Sequence, residues 1–164
     1  MRVFVPVGTY RIMEDKKVCL HAGPAGAGVF LGALNKETRF SALAFFLFPR
    51  KNQTISVDDN IIFSGEELLE YFWDELKERN EKVKGLTWVL AGASKFKSGL
   101  NDFKLMEENV GLARNFLTKR VGVENFYEFI FKPTFVLVEV DSSANTIRIL
   151  YNGGMLCFRR RTSS

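Results

Sequence analysis

Histidine occurs once in this chain, as His21, and cysteine only twice, as Cys19 and Cys157. A single imidazole removes the commonest general base from every other position and excludes a multi-histidine metal site. The cysteines follow no metal-ligand spacing and stand in stretches that read as strands, so buried reduced thiols are expected rather than a disulfide scaffold. No metal and no cofactor is expected.

Long apolar runs are missing too. The longest, Ser41 to Pro49, is far too short to cross a bilayer. The chain does not open with a charged start, an apolar stretch and a small-residue cleavage site. A cytoplasmic protein with no membrane insertion is therefore expected. Charge of one sign is not concentrated either: 23 basic and 19 acidic residues are well mixed, without the basic stripe and interleaved exposed aromatics of a nucleic-acid binder. The exception is Arg159-Arg160-Arg161, which reads with Thr162-Ser163-Ser164 as a flexible basic tail. The rest, residues 1–158, is read as one domain, since 164 residues with 46% hydrophobic content suffice for a single core.

What is present is a mixture of strand and helix patterns. Arg2 to Val7 and Lys17 to Ala22 read as short strands, after which Pro24, Gly23, Gly26 and Gly28 punctuate the chain. Val29 to Leu34 and Ser41 to Phe48 read as a hairpin of largely buried strands, followed by a polar loop from Arg50 to Asn60. Ser64 and Glu67 have capping-box spacing, with the serine oxygen accepting from a first-turn amide and the glutamate reaching back. Leu68, Leu69, Phe72, Trp73 and Leu76 then recur at helical spacing, and the helix should end near Glu81. Leu86 to Leu90 is a strand running into the small-residue turn Ala91-Gly92-Ala93-Ser94. A second amphipathic helix carries Leu105, Met106, Val110, Ala113, Phe116 and Leu117 on one face. Phe126 to Phe131, Thr134 to Val140, Thr146 to Tyr151 and Met155 to Phe158 read as four closing strands. The order is not the strict alternation of a doubly wound sheet, so the expected class is α+β, with mixed or antiparallel strands packed against two main helices.

Leu90-Ala91-Gly92-Ala93-Ser94-Lys95-Phe96, followed by Glu108-Asn109-Val110 opening the second helix, resembles the pattern of the chemoreceptor deamidase family CheD. There, a small-residue turn and an aromatic precede an asparagine that heads a helix. Gly8-Thr9-Tyr10 with Met13 is similar to that family's opening. Gly23 to Phe30 stands where it carries a glycine-serine-cysteine turn, and Ala42 to Pro49 resembles its strand ending in a leucine-rich stretch and proline. The similarity runs over nearly the whole chain through the order of motifs that are individually weak. It implies a cytoplasmic signalling protein whose relatives deamidate receptor glutamines with a cysteine, a histidine and a threonine, and some of which bind the phosphatase CheC. Its binding residues would include Gly92, Ala93, Ser94 and Asn109.

The resemblance places the family's nucleophile at Gly28, or at Ala27 with a one-residue shift, its histidine at Phe45 and its threonine at Ala22. A late glycine-rich turn falls on Phe131-Lys132-Pro133. Amide hydrolysis by this route needs a thiolate, a base and oxyanion donors, and the first two demand side chains that these positions lack. The expectation is a non-catalytic protein that binds a chemoreceptor or a CheC-like partner, with Gly28 and Phe45 side by side beneath the Gly92 turn. Phe45 and Phe46 point to opposite sides of their strand, so one of them would fill the space of the family's pocket. The alternative is an active glutamine deamidase or hydrolase with relocated chemistry at Cys19 and His21, which are two apart and share a strand face. A third reading has backbone amides of the Gly92 to Ser94 turn holding a small anion.

Overall fold

A computed structural model describes residues 1–79, 85–96, 102–122 and 124–158. Among these residues, twelve strands and two α-helices follow in the order β1 (Arg2–Phe4), β2 (Thr9–Met13), β3 (Cys19–Ala25), β4 (Val29–Leu34), β5 (Ser41–Phe46), β6 (Ile55–Val57), β7 (Asn60–Ile62), α1 (Gly65–Glu78), β8 (Thr87–Gly92), α2 (Asp102–Val121), β9 (Phe126–Ile130), β10 (Val136–Asp141), β11 (Thr146–Tyr151) and β12 (Gly154–Phe158). The first sheet has the order β1-β3-β10-β11-β12 and the second β2-β5-β4-β8-β9, while β6 and β7 form a separate ribbon. Parallel pairing at β1/β3 and β8/β9 makes both large sheets mixed. The class is α+β, as the element order suggested.

Three layers follow from how the second sheet distributes its side chains. Phe30, Leu34, Leu43 and Val89 pack on Val138, Val140, Ile147 and Ile149 of the first sheet. Val29, Leu31, Ala42, Phe46 and Leu90 face the other way, onto Leu68, Phe72 and Leu76 of α1 and Val110, Ala113 and Leu117 of α2. The second sheet is thus a central layer covered on both faces, which is why β4 and β5 are buried along their whole length and, Ser41 apart, carry no polar side chain. Among the described residues, no helix is long and apolar enough to cross a membrane.

Several details depart from the sequence reading. The stretch expected as a polar loop from Arg50 to Asn60 contains a one-turn 3-10 helix at Lys51–Gln53 and most of the β6/β7 hairpin. Asp58 and Asp59 both take positive φ, at 48° and 65°, the conformation that suits a two-residue hairpin turn. At α1, Ser64 Oγ accepts from the Glu67 amide at 3.5 Å, but the Ser64 amide donates to Thr54 Oγ1 at 2.9 Å rather than to the glutamate. α1 ends at Glu78 with Arg79 as its cap; Glu81 lies outside the described residues, as does the Arg159 to Ser164 tail. The second helix begins at Asp102, so Asn109 stands inside it rather than at its head. Finally, the four closing strands divide between sheets, β9 joining β8 in the second and β10 to β12 forming a meander in the first.

Candidate functional site

Gly28 precedes β4 and Phe45 is the penultimate residue of β5, and the register Phe30↔Phe45 and Val29↔Phe46 brings them together. A Cβ on Gly28 would lie 2.8 Å from Phe45 Cε1 and 3.0 Å from the Phe46 carbonyl oxygen, so Phe45 fills the space that a side chain at Gly28 would occupy. The Phe45 ring stacks on Phe30 with centroids 4.4 Å apart. Phe46 points to the helix layer, where it is fully buried.

The Gly92 turn closes over this pair. Register places Gly92 beside Val29, and at φ +110° a Cβ there would meet the Gly28 carbonyl oxygen at 2.4 Å, so only glycine fits. Beyond it the Ala93 amide donates to Gly28 O at 2.9 Å and the Ser94 amide to Gly26 O at 2.7 Å. Ser94 Oγ donates to Ala25 O at 3.2 Å. From α2, Asn109 Nδ2 donates to Ala27 O at 3.1 Å and to Leu47 O at 2.7 Å. Four consecutive carbonyls, from Ala25 to Gly28, are therefore each taken by a donor from β8's end or from α2. The Ala93 and Ser94 amides are consumed in this clip, which leaves neither free to hold an anion. Phe131, in the stretch where the resemblance expects glycine, takes φ 58° and gives its amide to Ala93 O at 3.0 Å.

Outside the clip is an open groove of about 410 Å³ lined by Phe4, Pro6, Val7, Pro24, Phe45 and Leu47, with Gly23, Ala25, Gly26 and Gly28 as its small floor residues. None of these side chains ionises. Ala22 is not on the groove wall; it is buried between the sheets, opposite Val138, one residue before Gly23. Phe4, Pro6, Val7 and Leu47 were not legible as site residues, because they reach the groove through the parallel β1/β3 pairing and the end of β5, which no local motif announces.

Cys19 and His21 lie on the outer face of the first sheet. Leu20 and Ala22 face the core, and alternation turns their neighbours outward. Cys19 is nonetheless only 6% exposed, because a charged cluster covers it. Arg2 spans to Glu139 at 2.8 Å, and Arg148 spans to Glu139 at 3.0 Å and Asp141 at 2.7 Å. The guanidiniums of Arg2 and Arg148 donate to Cys19 Sγ at 3.7 and 3.9 Å, and the thiol donates toward Glu139 at 3.8 Å. Burial, reinforced by Glu139 and Asp141, pushes the Cys19 thiol up despite the two arginines. Burial also opposes ionisation of Glu139 and Asp141, but hydrogen bonds from Arg2 and Arg148 to Glu139, and from Arg148 and the Ala144 amide to Asp141, win and hold both carboxyls below their ordinary range. His21 is placed against Phe4, with ring centroids 5.4 Å apart, and makes no hydrogen bond with Cys19. A thiol whose neighbours favour its neutral form is poorly prepared as a nucleophile.

Among the described residues no cluster of three or more His, Cys, Asp or Glu side chains could hold a metal ion. The fold therefore assembles Gly28, Phe45, Gly92, Ala93, Ser94 and Asn109 at one place and sets Cys19 and His21 apart from it. Compared with known proteins, the chain matches no family model and no curated protein.

Proposed function

We propose that this chain is a non-catalytic, CheD-like binding protein of bacterial signalling, holding an apolar segment of a chemoreceptor or of a CheC-like partner in the Phe4–Phe45 groove. One observation carries the reading: at the place where a nucleophile and base would be needed, Gly28 and Phe45 adjoin on the floor of an open groove with no ionisable wall. Such walls suit apolar side chains of a partner, and Phe4, half exposed at the rim, is placed to serve as an aromatic anchor. The adjacency of Gly28, Phe45 and the Gly92 turn is what the resemblance led us to expect, and it supports the assignment. The Cys19 and His21 alternative finds no comparable support, since the thiol is covered and its ionisation disfavoured.

The test mixes purified protein with a helical cytoplasmic fragment of a chemoreceptor and, separately, with a CheC-like phosphatase. We expect association with one of them and no release of ammonia from receptor glutamines. Phe4→Ala should weaken that association about tenfold, a loss of ~1.4 kcal/mol, with an unchanged circular dichroism spectrum. Deamidation by the purified protein, or no association with either partner, would overturn the proposal.

A further inference from the structure

Two sheets of this size expose four edge strands, and three of them are protected. β1 is only three residues long and carries Arg2. β2 carries the exposed Arg11, and β9 carries Glu128 paired to Arg114 of α2 at 2.8 Å. Short length and charge are the ordinary devices against edge-to-edge pairing. The fourth edge, β12, has neither: it reads Gly154-Met155-Leu156-Cys157-Phe158, with no charge and no proline, and its first four residues are exposed. Among the described residues it pairs on one side only, with β11.

The turn fixes which groups that free edge offers. β11 and β12 are joined by Asn152-Gly153, and Tyr151 and Gly154 are direct partners. A two-residue hairpin closes on a hydrogen-bonded pair, after which bonded and non-bonded pairs alternate. Gly154, Leu156 and Phe158 thus bond to β11, whereas the amides and carbonyls of Met155 and Cys157 point away from it.

We infer that β12 is a self-association edge, pairing antiparallel with β12 of a second copy about a two-fold axis at Leu156. This register alone uses all the outward groups of the strand: Met155 of each copy exchanges both hydrogen bonds with Cys157 of the other. It also keeps the faces matched, Met155 with Cys157 on the outer face and Leu156 with Leu156 on the inner. Shifting the axis to Met155 or to Cys157 moves half of the bonding off β12. A second copy fits better than a foreign strand because the edge carries no charge by which to select one, while its own spacing is self-complementary under the symmetry that most homodimers use. The product is one continuous sheet across two molecules. The contact is smaller than a standard stable interface, so association is reversible and depends on concentration.

The experiment is molar mass by sedimentation equilibrium over a concentration series. The wild type is expected to move from 18.7 kDa toward twice that value, and Leu156→Lys, which places a charge on the axis, to remain monomeric at all concentrations. A second variant reads the register without weakening the edge. Opposed residues of a non-hydrogen-bonded pair lie with Cα atoms about 4.5 Å apart, within disulfide range. Leu156→Cys with Cys157→Ser should therefore oxidise to a covalent dimer. Wild-type Cys157, opposite Met155, should not. A wild type that stays monomeric throughout, or a dimer indifferent to Leu156→Lys, overturns the proposal. So does ready crosslinking of wild-type Cys157 while the Leu156→Cys variant stays uncrosslinked.

Discussion

Asn109 is fully buried on α2, and both hydrogens of its amide are spent on main-chain carbonyls of other elements, at Ala27 and Leu47. No hydrophobic residue of similar size could hold the turn before β4 to the end of β5. Asn109→Ala would leave two carbonyls without donors, so a loss of about 2–3 kcal/mol is expected, read as a shift in the urea midpoint at constant slope. The two thiols make a second test at this scale. Cys157 is exposed and Cys19 is covered by the Arg2–Glu139–Arg148 cluster. Alkylation of native protein near neutral pH should modify one thiol, identified by mass as Cys157, and Cys19 only after unfolding. Rapid modification of Cys19 in the folded chain would revive the relocated dyad.

Among the elements, β10 and β11 are tied across their outer face by Arg148, Glu139 and Asp141, whose side chains are 18%, 13% and 13% exposed. Arg148→Ala takes the cation from Asp141 and leaves Glu139 with Arg2 alone, so two neighbouring carboxylates share one guanidinium. The expected loss at neutral pH is roughly 2–3 kcal/mol, below that of a fully buried pair because these groups retain some water. The pH dependence has a definite sign. Both carboxyls titrate lower in the folded chain than in the unfolded one, so their contribution is complete above the unfolded range near ~4. It fades as pH falls through the lower folded values. Acid unfolding of Arg148→Ala should consequently be less steep than that of the wild type between neutral pH and pH ~3. An equal acid response in the two proteins would remove the cluster from the account of stability.

The same elements show what could be read from order alone. β4, β5 and α1 were legible because each carries its own pattern: an almost unbroken apolar run in each strand, and Ser64 ahead of Leu68, Phe72 and Leu76. β2 was not, since Tyr10 and Ile12, which pack toward the helices, alternate with Thr9 and Arg11 for only two periods, too short a run to stand out. β6 and β7 are three residues each, too short for a period, and their turn of two aspartates lacks the glycine that normally signals it. α2 was recognised from its apolar face, but Asn109 was mistaken for its beginning because a buried asparagine inside a helix has no local signature. The charged cluster was invisible for another reason: Arg2, Cys19, Glu139 and Arg148 meet only through sheet register.

For the whole molecule, the decisive arrangement is the middle sheet. Its β4 has all six residues buried, hydrogen-bonded neighbours on both sides, helices on one face and a second sheet on the other. The groove and the Gly92 clip sit at one end of this sheet, so a partner would meet a surface backed by strands buried on both faces. No local opening can bring water to amides so placed. Those of Phe30 to Ala33 should accordingly exchange for deuterium only when the entire chain unfolds, and their exchange rate should match the stability measured with urea. Faster exchange there would mean that the interior breathes independently. If the rates agree, four consecutive amides become an internal gauge of the equilibrium, against which any ligand's effect can be weighed without a spectroscopic label.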